Sequence, residues 1–156
     1  MPLELVDGWV LLQTSNFRDQ LVILENEVRA LARKHPDTYL SKNATKRLAA
    51  IHKLIFQVIP LNPGGAEYLQ GNTLGSDNRH WRRAKFLQQY RLFFRYDTKS
   101  KIIIYGWVND ASTKRAYGSG NDAYSVFQRM LESGNPPSDW ASLIENAQGF
   151  ETLSQP

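Results

Sequence analysis

Apolar positions near the start of the chain step by four, three, four and three: Phe17, Leu21, Leu24, Val28 and Leu31. That spacing draws one stripe along a helix and predicts helix over residues 17–34. Ser15 or Asn16 is expected to cap its first turn. His35-Pro36 ends it, because a residue before proline is pushed out of the helical region. Asp37 then caps a second predicted helix, residues 38–59, with Leu40, Ala44, Leu48, Ile51, Ile55 and Val58 inward. Lys42, Lys46 and Lys53 fall off that stripe, and Pro60 stops the helix. Two amphipathic helices joined by so short a turn are expected to pack as a hairpin.

Near residue 80 the apolar period changes from about 3.6 to 2. Tyr90, Leu92, Phe94 and Tyr96 alternate with Arg91, Phe93 and Arg95, predicting a strand over 90–96. After the polar turn Asp97 to Lys101, the run Ile102-Ile103-Ile104-Tyr105 is apolar on both faces. It predicts a central strand over 102–108. His80 to Phe86 completes a three-stranded meander, and Trp9 to Leu12 reads as an added edge strand. Ala123, Val126, Phe127, Met130 and Leu131 predict a third helix, capped by Asn121 or Asp122 and closed by Gly134. Gly118-Ser119-Gly120 before it reads as a flexible turn. A short fourth helix is expected around Trp140, Leu143 and Ile144, with a frayed tail from Gln148. The expected class is α+β: an N-terminal helical hairpin packed on a small antiparallel sheet, with C-terminal helices, as one domain over residues 1–156.

Composition narrows the chemistry. The 156 residues are 42% apolar and 12% aromatic, enough for a sizeable core and too much for intrinsic disorder. Cysteine is absent, which excludes disulfides, thiolate metal sites, iron–sulfur clusters and a thiol nucleophile. The longest apolar run, Ile102 to Val108, is far short of the about 20 residues a membrane helix needs. Glu4 and Asp7 stand where a secretory signal carries positive charge, so the simplest reading is a soluble, cytoplasmic protein.

Charge is unevenly placed. The chain carries +4, yet residues 79–101 hold Arg79, Arg82, Arg83, Lys85, Arg91, Arg95, Lys99 and Lys101 against one acid, Asp97. That segment is +7, and the remainder is −3. A basic patch of this kind favours phosphates, by direct pairing and by counterion release from nucleic acid. The plainer reading is a solvated strand face that discourages aggregation.

Most catalytic constellations are missing. His35, His52 and His80 form no HxxxH pair, and there is no GxSxG elbow and no Walker loop. No metal or cofactor is expected. What remains is a basic, aromatic sheet. Arg83 and Lys85 are two apart, so on a strand they share a face, and Arg91 approaches them from the next strand. Guanidinium clamps phosphate bidentately, and lysine supplies a point charge or, when its pKa is depressed, a base. Arg91 is expected on the open face of its strand, paired if at all with an acid such as Asp110. Tyr90, Phe93, Tyr96, Trp107 and Tyr117 offer a stacking surface for unpaired bases, although each alone reads more simply as core.

The run Trp107-Val108-Asn109-Asp110-Ala111-Ser112-Thr113-Lys114-Arg115-Ala116-Tyr117-Gly118, continuing through Asp122-Ala123-Tyr124-Ser125-Val126-Phe127, resembles the YhaV toxins of type II toxin–antitoxin systems. Lys85-Phe86, Gln89 to Tyr96, Ala44-Thr45-Lys46, His52-Lys53, Leu74-Gly75-Ser76 and the connection from Gly134 to Trp140 share the likeness. Tyr90-Arg91-Leu92 is more distantly similar to the RelE superfamily of small α+β ribonucleases. The resemblance implies an mRNA endonuclease acting on translating ribosomes, metal-independent, and inhibited by a PrlF-type, AbrB-like antitoxin. Operator DNA, bound together with the antitoxin, is a further implied partner.

By that likeness the ribose 2′-hydroxyl attacks the adjacent phosphate, Arg83 or Lys85 helps deprotonate that hydroxyl or neutralises the phosphate, and Arg91 holds the scissile phosphate. Tyr117 stacks on a base or assists proton transfer. Asn109-Asp110 stands where many RelE-like toxins carry an arginine, and Arg115 is the implied replacement. Asp110 is a partner for Arg115 or Lys85. Arg79, Arg82, Arg95, Tyr90 and Asp110 are the candidate RNA contacts around them. Two other classes fit the same residues: a non-catalytic nucleic-acid-binding repressor subunit, and an interaction protein whose basic face meets an acidic partner.

Overall fold

A computed structural model describes residues 4–114, 120 and 122–150. Ten elements follow in chain order: β1 (Glu4–Val6), β2 (Trp9–Gln13), α1 (Ser15–Lys34), α2 (Asn43–Lys53), β3 (Arg82–Phe86), β4 (Tyr90–Asp97), β5 (Ile102–Val108), α3 (Ala123–Glu132), α4 (Trp140–Asn146) and β6 (Gln148–Gly149). The sheet order is β1-β2-β5-β4-β3, with β6 on β2 beyond β1.

The α+β class and the β3-β4-β5 meander stand, but three features of the expected architecture are corrected. Strands precede the first helix, so the chain does not open on a helical hairpin. The sheet is mixed, because β2 runs parallel to β5, pairing Leu11 with Ile103. Parallel neighbours need a long crossover, and here α1, α2 and the whole β3–β4 hairpin provide it. β2 is also interior rather than an edge, since it has partners on both sides. Its sequence explains this: Leu11 faces one core and Leu12 the other, and a strand apolar on both faces belongs inside a sheet.

Helices cover both sheet faces. On one, Phe17, Leu21 and Leu24 of α1 and Ala44 and Ile51 of α2 pack on Leu11, Leu92, Phe94, Ile103 and Tyr105. On the other, Tyr124, Phe127 and Leu131 of α3 and Leu143 of α4 pack on Leu12, Phe93, Ile104 and Trp107. Gly106 is the extra residue that lets β5 turn Trp107 into this second core: Phe93 pairs with Trp107 and Phe94 with Tyr105. A Cβ at Gly106 would lie 2.6 Å from the Trp81 ring, so only glycine permits that approach.

Local signals differ from expectation at several termini. Thr14, not Ser15 or Asn16, caps α1: its hydroxyl accepts from Phe17 N at 3.1 Å and donates to Gly106 O at 2.8 Å, joining helix to sheet. Asp37 caps nothing, because a short 3-10 turn, Tyr39–Ser41, intervenes and α2 starts at Asn43. Leu40 lies in that turn and is exposed rather than inward. Beyond Lys53 the helix widens into a π turn, Leu54–Val58, and a 3-10 turn containing Pro60. Asp122 caps α3, accepting from Tyr124 N, while Gly134 closes the turn after it with φ +82°. The tail does not fray at Gln148: β6 pairs with β2, and Phe150 is buried against Phe17, Phe56 and Tyr105.

Candidate active site

Strand alternation divides the +7 segment between two faces of the sheet, so it is not one patch. Arg82 turns toward the α1–α2 side, with its guanidinium 5.8 Å from the centre of the Tyr96 ring. Arg83, Arg91 and Arg95 turn toward α3 and α4. Lys85 shares the face of Arg83, is exposed, and stands directly opposite Arg91 on the β3–β4 ladder. Like charges directly opposed on a ladder are destabilising, so the fold carries this arrangement at a cost.

Arg83 and Arg91 converge on one atom. Arg83 Nε donates to the Tyr124 hydroxyl oxygen at 2.9 Å, and Arg91 Nε donates to the same oxygen at 3.2 Å. Tyr124 is in the first turn of α3, its ring edge-on to Phe93 with centroids 5.5 Å apart. Arg83 Nη1 also donates to Glu67 O at 2.9 Å, and Arg91 Nη1 to Gln88 O and Tyr90 O at 2.8 and 2.9 Å. Among the described residues neither guanidinium meets a carboxylate, and neither Nη2 has a hydrogen-bond partner. Two cations are thus held by neutral acceptors, each with a donor nitrogen left over. Charged guanidiniums so placed favour an anion with several oxygens.

Arg91 corrects an expectation: it is 8% exposed, not on an open strand face, and its partners are a hydroxyl and carbonyls rather than Asp110. The turn that receives it is strained. Leu87 and Gln88 hold φ of +43° and +69°, a region that side chains rarely adopt. Arg91 secures the Gln88 carbonyl and Asn109 Nδ2 secures the Gln89 carbonyl at 3.0 Å. Asn109, 2% exposed, has both ends of its amide engaged: Oδ1 accepts from Arg91 N at 2.7 Å, and Nδ2 also donates to Thr113 O at 2.8 Å. One side chain therefore ties β4, the hairpin turn and the loop after β5 together.

The other sequence-nominated residues disperse. Asp110 caps the short turn Ala111–Thr113, accepting from Ser112 N at 2.9 Å and from the Ser112 and Thr113 hydroxyls at 2.7 and 3.0 Å. Burial pushes its carboxyl up, but those hydrogen bonds and the nearby Arg47 charge outweigh it and hold the group below the ordinary carboxylate range. Tyr90 faces away from Arg91, stacked on Phe86 and covered by the Arg47 guanidinium. Phe93 and Trp107 stack on Phe127 inside the second core, so neither offers a face to a base. Arg95 lies between the Trp81 and Trp140 rings, 5.8 and 5.2 Å from their centres, and donates to Ser138 O. Burial lowers its pKa to about 10, with Asp139 opposing and Arg82 assisting the shift. Arg79 is exposed, and its carbonyl accepts from Arg82. Arg115, Tyr117, Asn121 and the Gly118-Ser119 part of the expected turn lie outside the described residues.

Tyr124 and Asn109 have no place among the nominated site residues. Tyr124 occupies an ordinary apolar position of an amphipathic helix, where periodicity assigns it to the core. Asn109 carried one usable signal, a polar residue directly after a strand apolar on both faces. Among the described residues no three His, Asp or Glu side chains gather to hold a metal, and no helix is long and apolar enough to cross a membrane.

The geometry defines a class: a basic α+β protein in which two arginines from β3 and β4, at one edge of a mixed sheet, share one tyrosine hydroxyl. Residues 11–148 match the Toxin_YhaV family model, described as a toxin with endonuclease activity, of a toxin–antitoxin system. The chain is 46% identical to Toxin YhaV of Escherichia coli O6:H1, over 92% of this chain and 94% of that protein. It is 45% identical, with the same coverage, to Ribonuclease toxin YhaV of Escherichia coli strain K12. The chain belongs to the YhaV family of toxins. No solved structure was found to match it.

Proposed function

We propose that this chain is a single-domain, RelE-like endoribonuclease that cleaves mRNA on translating ribosomes in the cytoplasm, held inactive by a PrlF-type antitoxin. The observation that carries the catalytic reading is the convergence of Arg83 and Arg91 on the Tyr124 hydroxyl without a carboxylate among the described residues. The K12 relative's being a ribonuclease toxin by name supports RNA as the substrate.

In this reading the ribose 2′-hydroxyl attacks the neighbouring phosphorus, the bond to the 5′-oxygen breaks, and a 2′,3′-cyclic phosphate and a 5′-hydroxyl result. The 2′-hydroxyl loses a proton and the departing 5′-oxygen gains one. Arg91, oriented by Gln88 O, Tyr90 O and Tyr124, holds the non-bridging oxygens, and Arg83 reinforces it from β3. Lys85 neutralises the phosphate or takes the 2′ proton. Arg115 and Tyr117 supply a further cation and a stacking or proton-transfer group. Arg79 is a contact for the RNA chain outside the reacting phosphate. The mechanism calls on no metal ion or cofactor. The antitoxin is proposed to cover this basic face with an acidic stretch, an attraction weakened by salt, and the toxin–antitoxin pair to bind its operator DNA.

The test is cleavage of an RNA oligonucleotide in EDTA, with identification of the new termini. Cyclic phosphate ends support the reading. A mobility shift without cleavage returns the protein to the non-catalytic nucleic-acid binders.

A further inference from the structure

A second basic site lies outside the +7 segment. A pocket of about 210 Å³ opens between the start of α2, the β3–β4 turn and the loop after β5, and its walls include Lys46, Arg47, Gln89, Tyr90 and Lys114. Among the described residues no carboxylate lines it. Lys46 and Lys114 are exposed, and their side chains make no hydrogen bond or ion pair with the described residues. Arg47 lies over the Tyr90 ring at 5.6 Å and reaches Glu27 only at 4.0 Å. Helix α2 carries Lys46, Arg47 and Lys53 and no acid, so no ion pair forms within it, and the acids near Arg47, Glu27 and Asp110, come from other segments.

This pocket and the paired-arginine site share a frame. Gln88 accepts from Arg91, while the next residue, Gln89, walls the pocket. The Asn109 amide holds Gln89 O and Thr113 O, and Thr113 precedes Lys114. A chain leaving Arg91 therefore crosses only the hairpin turn to reach Lys46 and Lys114. Among the described residues the one ring in the wall, Tyr90, is covered by Arg47, so these residues offer cations rather than a stacking face.

Resting on the ribonuclease reading, we propose that Lys46, Arg47 and Lys114 form a phosphate-binding subsite for the single-stranded RNA flanking the cleaved bond. It grips the backbone irrespective of base, contributing to affinity and not to the chemical step.

The experiment uses the full chain, a fluorescent 2′-O-methyl RNA oligonucleotide that cannot be cleaved, and anisotropy titrations across a range of salt. The variant is Lys46→Ala/Lys114→Ala, with Lys99→Ala as a control on an exposed cation in the β4–β5 turn, at the other end of β4 from the pocket, and melting curves to confirm the fold. Affinity should fall about tenfold, and the slope of log Kd against log salt should shrink by about 1.4, since each phosphate contact on a single strand contributes about 0.7. With cleavable RNA, KM should rise while kcat holds. Lys46→Glu/Lys114→Glu should weaken binding further. Unchanged affinity and slope in the folded double variant would overturn the subsite. Tighter binding of duplex DNA, with the same loss of slope, would overturn RNA as its ligand. Failure of the catalytic reading is seen separately: an Arg91→Ala protein that cleaves RNA normally removes the paired-arginine assignment and leaves the slope measurement intact.

Discussion

Arg91 and Arg95 point from the same strand to the same side of the sheet, four residues apart, and the fold uses them in opposite ways. Arg95 is sandwiched by Trp81 and Trp140 and fastened to Ser138 O, so it pins β4 to the connection leading into α4. Arg91 is more deeply buried, yet its acceptors are a hydroxyl shared with a second arginine and two carbonyls, one in a strained turn. Aromatic faces around Arg95 satisfy a cation and leave little room for another ligand. The neutral oxygens around Arg91 orient a cation and, among the described residues, bring no carboxylate to compensate its charge. Burial alone does not separate structural from functional arginines; the partners do.

The contrast breaks most directly at Arg91. Arg91→Ala is expected to lower RNA cleavage about 10²–10³-fold, as does loss of one preorganised donor in comparable sites. Because the side chain is buried and steadies the Gln88 turn, its melting temperature should fall as well, so rates are to be compared where the variant is folded. Arg91→Lys should recover only part of the rate, since lysine lacks the planar fork. A folded Arg91→Ala protein with normal cleavage would place both arginines in the structural category.

Arg95→Ala should show the opposite pattern. Losing two ring contacts and a charged hydrogen bond is expected to cost about 2–3 kcal/mol of stability in urea unfolding, with kcat unchanged in the folded protein. A large fall in kcat with unchanged stability would erase the distinction.

Tyr124→Phe sharpens the comparison from the helix side. If the hydroxyl only aligns Arg83 and Arg91, cleavage should fall about tenfold, equivalent to about 1.4 kcal/mol in the barrier. If it transfers the proton itself, the loss should reach about 10²–10⁴ and the pH–rate profile should lose one limb.

The smallest effect is expected at Asp139, beside Arg95. The Ser142 N–H and hydroxyl, with the Arg95 charge assisting, hold its carboxyl below the ordinary 3.8. A carboxylate whose folded pKa is depressed stabilises the fold above its unfolded value, and that contribution disappears as pH falls through the folded value. Asp139→Asn should therefore flatten the melting-temperature profile slightly between about pH 5 and pH 2 and leave neutral-pH cleavage alone. An unchanged acid profile would show that Asp139 contributes nothing through its charge.

Periodicity was enough to read the α+β class, α1, the β3–β5 meander and α3 from the chain, because each of those segments repeats its burial locally. It failed where a distant partner decides. Thr14 caps α1 because Gly106 O lies within reach of its hydroxyl, and Gln148 pairs because Gln13 is waiting across the sheet. Asp37 is a good cap residue with no helix to cap. The Trp9 to Leu12 run did carry the sign of an interior strand, but four residues cannot say which strand lies beside them or in which direction.

The candidate site divides in the same way. Sequence determined that Arg83 and Lys85 share a face and that Arg91 is on the neighbouring strand, because side-chain alternation and a three-residue hairpin loop allow little else. It determined a basic chain without thiols. Only the tertiary structure decided that the basic segment splits across two faces, that Phe93 and Trp107 are spent on the core, and that Arg95 is enclosed by tryptophans. The meeting of Arg83 and Arg91 at Tyr124 also belongs to it, as does the hold of Asn109 on a turn 20 residues away. The reason is physical: charge and period are properties of a segment, whereas a hydrogen-bond partner is a property of the space between segments, fixed only when helix and sheet pack.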